Sequence, residues 1–313
     1  MDKLFALIES LRPKQWIKNA VVFVGLVFGQ RLFDPHAQLR VVLACLSFCC
    51  AASGIYLLND VADRDEDARH PDKRRRPIAS GRLPAASAML GALAAITLAL
   101  VLAIALSIGA VAPRPAGERP LEWWESQRAF VAYVLAYVGL NVAYSAGLKH
   151  VVIADVIAVA LGFLIRVVAG TAVIDLPVSS WLILCAFHLA TFLALAKRRG
   201  ELASATSETR PVLVKYDLAL LNTLITVAAS ASLLSYSIYT AAPETVAKFG
   251  TRNFIFTVPL AVYGIGRYLF LVYRRNLGED PTSIVFKDRA LQMVIALWVA
   301  LAVVIIYCAG RTV

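Results

Sequence analysis

Long apolar runs recur along the whole chain and restrict its fold more than any other feature. Each run holds about 18–25 residues, the length that carries an α-helix across a hydrocarbon core of roughly 30 Å. Unpaired backbone groups are costly in lipid, so uniformly apolar runs of this length predict helices rather than barrel strands. We place nine predicted spans at residues 16–33, 38–58, 85–111, 127–145, 151–173, 178–196, 215–240, 252–273 and 290–310.

The composition agrees with a membrane protein. Hydrophobic residues make up 59% of the 313 residues, and the mean hydropathy is +0.70, whereas soluble domains are about 45–50% apolar. The five cysteines lie inside apolar runs, without the spacing of a metal site or of a secreted disulfide framework. No linker divides the chain. We therefore expect an all-α polytopic membrane protein that forms a single transmembrane catalytic domain over residues 1–313.

The Lys and Arg residues predict the orientation of the chain. With the N-terminus in the cytoplasm, the inside segments hold 21 of the 31 basic residues and the outside segments hold eight, which satisfies the positive-inside rule. The connections at about 59–84, 146–150, 197–214 and 274–289 then face the cytoplasmic side of the cell membrane and are expected to cap one active site. The formal charge of +10 lies beside the spans, so membrane lipids and phosphorylated ligands are the expected partners, and nucleic acid is not.

The most informative stretch is NDVADRDEDARHPDKRRRPIASG, residues 59–81, which directly follows the second span. Asp60, Asp63 and Asp67 stand at i, i+3 and i+7, so they share one face of a helix that continues from the span. Carboxylates this close need a cation, and oxygen ligands without His or Cys suit Mg²⁺. We predict that these aspartates bind Mg²⁺ and that Asn59 belongs to the same catalytic group. The neighbouring acids are interpreted as a solvated loop: Asp65, Glu66 and Asp72.

The same connection turns basic after the aspartates. Lys73 and Arg76 are followed by a PIASG turn and then by Arg82. Basic side chains beside a metal site can hold a diphosphate, because guanidinium groups form charge-assisted hydrogen bonds with phosphate oxygens. The alternative is that these residues only mark the cytoplasmic side. The whole stretch predicts an enzyme that handles a magnesium-bound diphosphate.

These motifs resemble the UbiA superfamily of intramembrane prenyltransferases. Its first aspartate-rich motif reads NDxxDxxxD and is followed by RPxxSG, and both patterns stand here, at residues 59–67 and 76–81. The resemblance covers essentially the whole chain. It implies that family's fold of nine transmembrane helices and a Mg²⁺ ion held on the acidic motif.

One departure from the family pattern narrows the implied activity. Members that use a prenyl diphosphate generally have a second acidic motif, DxxxD, after the sixth span, where this chain reads KRRGEL at 197–202. The chain is similar to a branch of the family that transfers the 5-phosphoribosyl group of phosphoribosyl diphosphate (PRPP) to decaprenyl phosphate. That reaction releases pyrophosphate and serves the synthesis of cell-wall arabinan precursors. Further segments fit the branch: LRPKQWIKN (11–19), YSAGLKHVVIADV (144–156), GFLIRVVAG (162–170) and GEDPTSIVFKDRALQ (278–292).

The implied reaction suggests roles for other charged residues. Two phosphorylated substrates suit a site with one acidic motif and many basic residues, and the nucleophile is already an anion, so no strong general base is required. Lys14 and Lys18 could bind the lipid phosphate, and Lys149 could bind a ribose phosphate, although topology alone would also explain these lysines. The other candidates for substrate binding are Tyr144, Asp155, Lys197, Arg198 and Glu201.

Two other functions stay open at this point. An enzyme of the same fold could prenylate an aromatic acceptor from a prenyl diphosphate, but the second DxxxD motif is missing. A transporter for a phosphorylated lipid would show inverted repeats and charges near the midplane, whereas the polar residues here gather on one side.

Three charged residues and one glycine pair remain without a specific function. Asp280 and Asp288 fit the branch without a defined role, and Arg166 is expected to pair with polar groups across helices. Gly25 and Gly29 form a GxxxG motif that suits close helix packing and is compatible with a homo-oligomer.

Overall fold

The computed structural model describes residues 2–71, 73–110, 122–203, 211–274 and 281–308. Within these ranges the regular structure is helical and no strand occurs, which confirms the all-α class. The α-helices are α1 Asp2–Ser10, α2 Val24–Phe28, α3 Pro35–Ala62, α4 Arg64–Arg69, α5 Ala85–Ser107, α6 Phe130–Ala146, α7 Ala154–Ala172, α8 Ser180–Ala203, α9 Leu218–Ala241, α10 Pro243–Phe249, α11 Val258–Arg274, α12 Pro281–Lys287 and α13 Arg289–Cys308.

Eight helical segments in the described ranges are long and apolar enough to cross a membrane. They are α3, α5, α6 with the turn before it, α7, α8, α9, α11 with the turn before it, and α13. Each coincides with one of the second to ninth predicted spans. The protein is therefore a multi-pass membrane protein, as predicted.

The first predicted span, residues 16–33, has a different structure. It consists of a 3-10 segment, Pro13–Phe23, followed by the five-residue helix α2, so it is not among the eight candidate spans. The 3-10 segment begins with the polar side chains of Lys14, Gln15, Lys18 and Asn19, and its end packs tightly: a Cβ on Gly170 would lie 2.1 Å from the carbonyl oxygen of Val22. This backbone-to-backbone approach accounts for the small residue at position 170.

Two spanning helices, α3 and α8, extend well beyond the predicted apolar runs. Helix α3 begins at Pro35 behind an Asp34 cap, whose carboxylate accepts hydrogen bonds from the backbone of His36 and Ala37. Helix α8 continues to Ala203, so the KRRGEL segment, predicted at the start of the 197–214 loop, is helical. Apart from Gly200, its residues are good helix formers, and Glu201 lies three and four positions after the basic Arg198 and Lys197.

The chain divides into two compact units, which are described separately below. The first comprises residues 1–147 and 165–178, and the second comprises residues 148–164 and 179–313. In the first unit Phe48 packs edge-on against Phe130 and Tyr137, at ring-centroid distances of 5.8 and 5.5 Å. Helix α5 meets α3 through a stripe of fully buried alanines, and small residues of this kind let two helices approach closely. The stripe consists of Ala88, Ala92, Ala99 and Ala103.

The second unit has its own core. Phe192 packs edge-on against Tyr268 at 5.4 Å, and Leu221, Ile225 and Leu271 are fully buried around them. In both units, large apolar side chains stay exposed along the spanning helices, as expected where a helix faces lipid rather than water. Examples are Leu90, Leu93, Leu234 and Leu297.

Candidate functional site

The aspartates of the acidic motif lie where α3 passes into α4, in the first unit. The helical hydrogen bonding continues across Asp63, because Asp63 N donates to Asn59 O and Asp67 N donates to Asp63 O, both at 2.8 Å. Asp60 and Asp67 are buried, with 3% and 2% of their surface exposed, and Asp63 is half-buried. The continued helix therefore holds two carboxyl groups out of water, where a nearby cation favours their charged form.

The basic turn supplies two of those cations. Arg76 Nη1 donates to Asp60 Oδ1 at 3.1 Å and to Asp67 Oδ2 at 2.6 Å. Lys73 Nζ lies 3.8 Å from Asp67 Oδ1. Behind the turn, Ile78 and Leu83 are buried in an apolar cluster with Leu57, Ala88 and Ala92. The turn is thus anchored on α3 and α5, and the structure brings together the acidic and basic halves of the motif.

Arg12 is a third cation at this cluster, and sequence reasoning did not select it. Its Nη2 atom lies 2.5 Å from Asp60 Oδ1, and its guanidinium carbon lies 4.9 Å from the centre of the Tyr56 ring. Arg12 lies in LRPKQWIKN, a segment that fits the branch, and this membership was the feature of the sequence that could have indicated a role for it. We call Asp60, Asp67, Arg12, Lys73 and Arg76 the acidic cluster.

The amide of Asn59 has a defined partner. Ser145 Oγ donates to Asn59 Oδ1 at 2.8 Å, which ties α6 to α3 in the first unit. Ser145 follows the half-buried Tyr144, which was predicted to bind substrate, and it was itself overlooked. With its oxygen engaged, Asn59 presents its NH₂ group to other partners.

Several other candidates of the first unit are more exposed than Asp60 and Asp67. Arg82 is exposed and forms a bidentate pair with Glu9 at 2.9 and 3.1 Å. Lys14 is exposed and Lys18 is half-buried on the 3-10 segment. Asp65 and Glu66 are exposed on α4, in agreement with a solvated face, and Asp72 lies outside the described residues.

A second charged group forms in the second unit. Arg198, from KRRGEL, donates from Nε to Asp155 Oδ2 at 2.6 Å and from Nη1 to Glu201 Oε2 at 2.5 Å. Lys197 Nζ lies 3.8 Å from Glu201 Oε1. Asp155 is fully buried and Arg198 is 3% exposed, so this pair is an internal contact between α7 and α8. Lys197 and Glu201 are more accessible, with 35% and 17% of their side-chain surface exposed.

Tyr216 completes this group, and no sequence motif pointed to it. Its hydroxyl donates to Asp155 Oδ1 at 2.9 Å and accepts from the backbone N of Ile153 at 2.6 Å. Burial raises the pKa of Tyr216 to about 12, so the hydroxyl keeps its proton in the neutral range. The half-buried Lys149 lies in the turn that ends at Ile153.

The remaining charged candidates have structural contacts. Arg199 donates to Asn222 Oδ1 at 2.9 Å and to Val272 O at 3.0 Å. Arg166 donates to Tyr137 Oη at 2.7 Å, which agrees with its expected pairing across helices. Asp288 pairs with Arg267 at 2.7 Å. Asp280 lies outside the described residues.

The donor set of the acidic motif fits Mg²⁺. Asp60, Asp63 and Asp67 offer only oxygen atoms, the ligands that this hard cation prefers, and two of the carboxylates already converge on one cationic nitrogen of Arg76. In the described part of the chain, no group of three acidic, His or Cys side chains is arranged to hold a metal. A guanidinium group lies between Asp60 and Asp67 instead, so a metal would have to replace it.

The eight spanning helices, with the acidic cluster where α3 passes into α4, define a polytopic membrane protein. The UbiA prenyltransferase family model matches residues 20–293. This chain therefore belongs to the UbiA prenyltransferase family, a family of membrane transferases, as the motifs predicted.

Several proteins with names are similar to this chain over nearly its full length. The chain is 31% identical to a decaprenyl-phosphate phosphoribosyltransferase of Mycolicibacterium smegmatis, over 94% of this chain and 90% of the relative. It is also 31% identical to a protein of the same name in Corynebacterium glutamicum, over 96% and 86%. Nodulation protein NoeC of Azorhizobium caulinodans is 29% identical, over 97% and 94%.

Solved structures share the fold. A UbiA homolog from Archaeoglobus fulgidus, bound to DMAPP and Mg²⁺, superposes with a TM-score of 0.66 at 19% identity, covering 96% of this chain and 99% of that one. The same homolog bound to GPP and Mg²⁺ has a TM-score of 0.66 at 20% identity, with the same coverage. These similarities establish the UbiA fold for this chain.

Proposed function

We propose that this protein transfers the 5-phosphoribosyl group of PRPP to a polyprenyl phosphate such as decaprenyl phosphate, releasing pyrophosphate. The observation that carries the proposal is the pairing of the acid in KRRGEL. Glu201 pairs with Arg198 and Lys197 on the same helix, so the segment offers one carboxylate held by two cations rather than the pair of carboxylates of a second DxxxD motif. The names of the relatives from Mycolicibacterium and Corynebacterium support the same reaction.

The reaction replaces one bond at C1 of the ribose. An oxygen of the lipid phosphate forms a bond to C1 while the C1–O bond to the diphosphate breaks, and pyrophosphate leaves. Mg²⁺, when bound, would neutralise charge on the leaving group. Asp60, Asp63 and Asp67 are proposed as its ligands, with Asn59 beside them, and Lys73 and Arg76 as partners of the diphosphate oxygens.

In the second unit, Lys197 and Lys149 are proposed to bind a phosphate group, because both are partly accessible. Asp155, Arg198 and Glu201 are proposed to act through these lysines rather than by touching substrate, since Asp155 and Arg198 are buried in their own ion pair. Tyr144 is retained as a substrate contact.

The lipid phosphate is proposed to bind at Lys14 and Lys18, beside apolar residues that are exposed. Trp16 and Ile17 lie between these lysines and are 38% and 47% exposed, as suits a segment at the edge of a membrane. We further propose that the reaction takes place at the cytoplasmic face of the cell membrane, because the basic loops lie there by the positive-inside rule.

The proposal is tested by supplying radiolabelled PRPP, decaprenyl phosphate and Mg²⁺ to membranes containing the protein. Label should enter the organic phase, and EDTA should abolish it. The Asp63→Asn variant should lose the activity, whereas Asp65→Asn, an exposed aspartate on α4, should retain it. This pair separates a site role from a general need for acidic charge.

A different donor would overturn the proposal. If folded protein yields no labelled lipid from PRPP but transfers label from a prenyl diphosphate to an aromatic acceptor, the protein is a prenyltransferase in the narrow sense. Movement of an intact phosphorylated lipid across the bilayer, without a new bond, would instead indicate a transporter.

A further inference from the structure

Two guanidinium groups share a single carboxylate oxygen in the acidic cluster. Asp60 Oδ1 lies 2.5 Å from Arg12 Nη2 and 3.1 Å from Arg76 Nη1. Arg76 also reaches Asp67 Oδ2 at 2.6 Å. Opposite charges in contact offset each other, so the two guanidinium groups are the counter-ions of Asp60 and Asp67.

The acids of the cluster are buried, whereas its arginines reach the surface. The side chains of Asp60 and Asp67 are 4% and 3% exposed, whereas those of Arg12 and Arg76 are 30% and 31% exposed. A long, partly solvated arginine can change rotamer at small cost, but a buried aspartate on a helix cannot follow it. The cations are therefore the exchangeable members of the cluster.

The position of Arg12 is built into the fold. Ser53, which is 2% exposed, donates to the carbonyl of Leu11 at 2.9 Å and accepts from Trp16 Nε1 at 3.0 Å. These bonds fasten both sides of Arg12 to α3. Arg12 itself has a φ of +53°, a backbone conformation that a non-glycine residue adopts only under tertiary constraint.

We propose that Arg12 and Arg76 are resident counter-ions, which leave Asp60 and Asp67 when Mg²⁺ arrives and then bind the phosphate oxygens that come with it. The proposal rests on the proposed function, because it assumes a magnesium-bound diphosphate. A divalent cation and a guanidinium repel each other at the same oxygen, so metal alone must compete with the arginines. A diphosphate gives the displaced guanidiniums a new anionic partner.

Coupling between the two ligands follows from this exchange. Metal should bind weakly by itself and more tightly with diphosphate, and by linkage diphosphate should gain as much from metal. Removing one arginine charge should remove part of the competition. Affinity for metal alone should then rise, and the benefit from diphosphate should fall.

The experiment is equilibrium dialysis of Mn²⁺, as a probe for the magnesium site, against the purified full-length protein with and without inorganic pyrophosphate. No turnover is involved. Arg12→Gln should bind Mn²⁺ alone about five- to tenfold more tightly than the natural protein and gain less from pyrophosphate. Arg12→Lys, which keeps the charge, should resemble the natural protein. Arg76→Gln should change in the same direction as Arg12→Gln.

Arg31→Gln is the matched control. Arg31 pairs with Asp34 at 3.3 Å, and its side chain is 39% exposed. Like Arg12 it is a partly exposed arginine paired with an aspartate, but it lies just before the N-terminus of α3. Its substitution should leave both affinities unchanged. Thermal unfolding of every variant checks that the fold is retained.

The proposed exchange of arginine for metal is wrong if the folded Arg12→Gln and Arg76→Gln variants bind Mn²⁺ alone no more tightly than the natural protein. It is also wrong if pyrophosphate helps them as much as it helps the natural protein. These results are independent of the sugar donor. A protein that failed to use PRPP could still show the exchange, and one that used PRPP could lack it.

Discussion

The backbone N–H of Ile153 donates to the hydroxyl of Tyr216 at 2.6 Å. Ile153 has a φ of +68°, and a β-branched side chain is strained in that region. The strained residue ends the turn that carries Lys149, and the same hydroxyl donates to the buried Asp155. One phenol thus holds a turn and supports the ion pair between Asp155 and Arg198.

Tyr216→Phe should destabilise the protein by about 1–3 kcal/mol, because it removes the hydrogen bond to the Ile153 N–H and leaves an oxygen of the buried Asp155 carboxylate without this donor. A lower thermal unfolding midpoint in detergent would report the loss. Tyr263→Phe is the control, since Tyr263 is 51% exposed. Equal midpoints for the two variants would contradict a structural role for the hydroxyl.

The contribution of Tyr216 should have a defined pH dependence. Burial raises its pKa from 10 to about 12, so its stabilising effect is complete below about pH 10 and is lost as the pH rises toward 12. The difference in unfolding midpoint between the natural protein and Tyr216→Phe should therefore be constant from about pH 6 to pH 9. A difference that changed across this range would show that another group titrates.

Arg198→Met should cost about 3–5 kcal/mol of stability, because it leaves the fully buried Asp155 without its charge partner. The double variant Asp155→Asn with Arg198→Met should recover much of the loss. Unfolding in detergent measures both. If Arg198→Met folds with natural stability and only raises the KM for PRPP, Arg198 is a substrate ligand instead.

Asp67→Asn should reduce transfer activity about a hundredfold or more, since Asp67 is a proposed metal ligand and its charge is preorganised in a buried site. Activity is followed as labelled lipid formed from PRPP. Asp65→Asn, two residues away and exposed, should change it little. Similar losses in both variants would remove Asp67 from the site.

Gly170→Ala should destabilise the first unit by about 1–3 kcal/mol through overpacking. An added Cβ would lie 2.1 Å from Val22 O, and backbone at both sides prevents easy relief. Gly139→Ala meets no atom within 4 Å, so it should keep or slightly raise stability through better helix propensity. A tolerated Gly170→Ala would mean that the segment around Val22 can move away.

Local patterns in the sequence were sufficient for eight of the spans and for the meeting of Asp60 and Asp67. The spans follow from the length of the apolar runs, whereas the placing of Asp60 and Asp67 follows from periodicity, because a helix of 3.6 residues per turn brings residues seven apart to one side. The pairing with Arg76 also lies within one connection, nine residues from Asp67. By contrast, the 16–33 run was apolar enough to predict a span but is divided between a 3-10 segment and α2.

The long-range ion pairs could not be predicted from such patterns. Arg12 meets Asp60 across 48 positions, and Arg198 meets Asp155 across 43. In the sequence these arginines are indistinguishable from basic residues that only mark a membrane face. Local chain geometry selects helices and their faces, but which buried charges neutralise one another depends on how the helices pack, since the energy of a charge pair is set by a separation that only the folded chain defines.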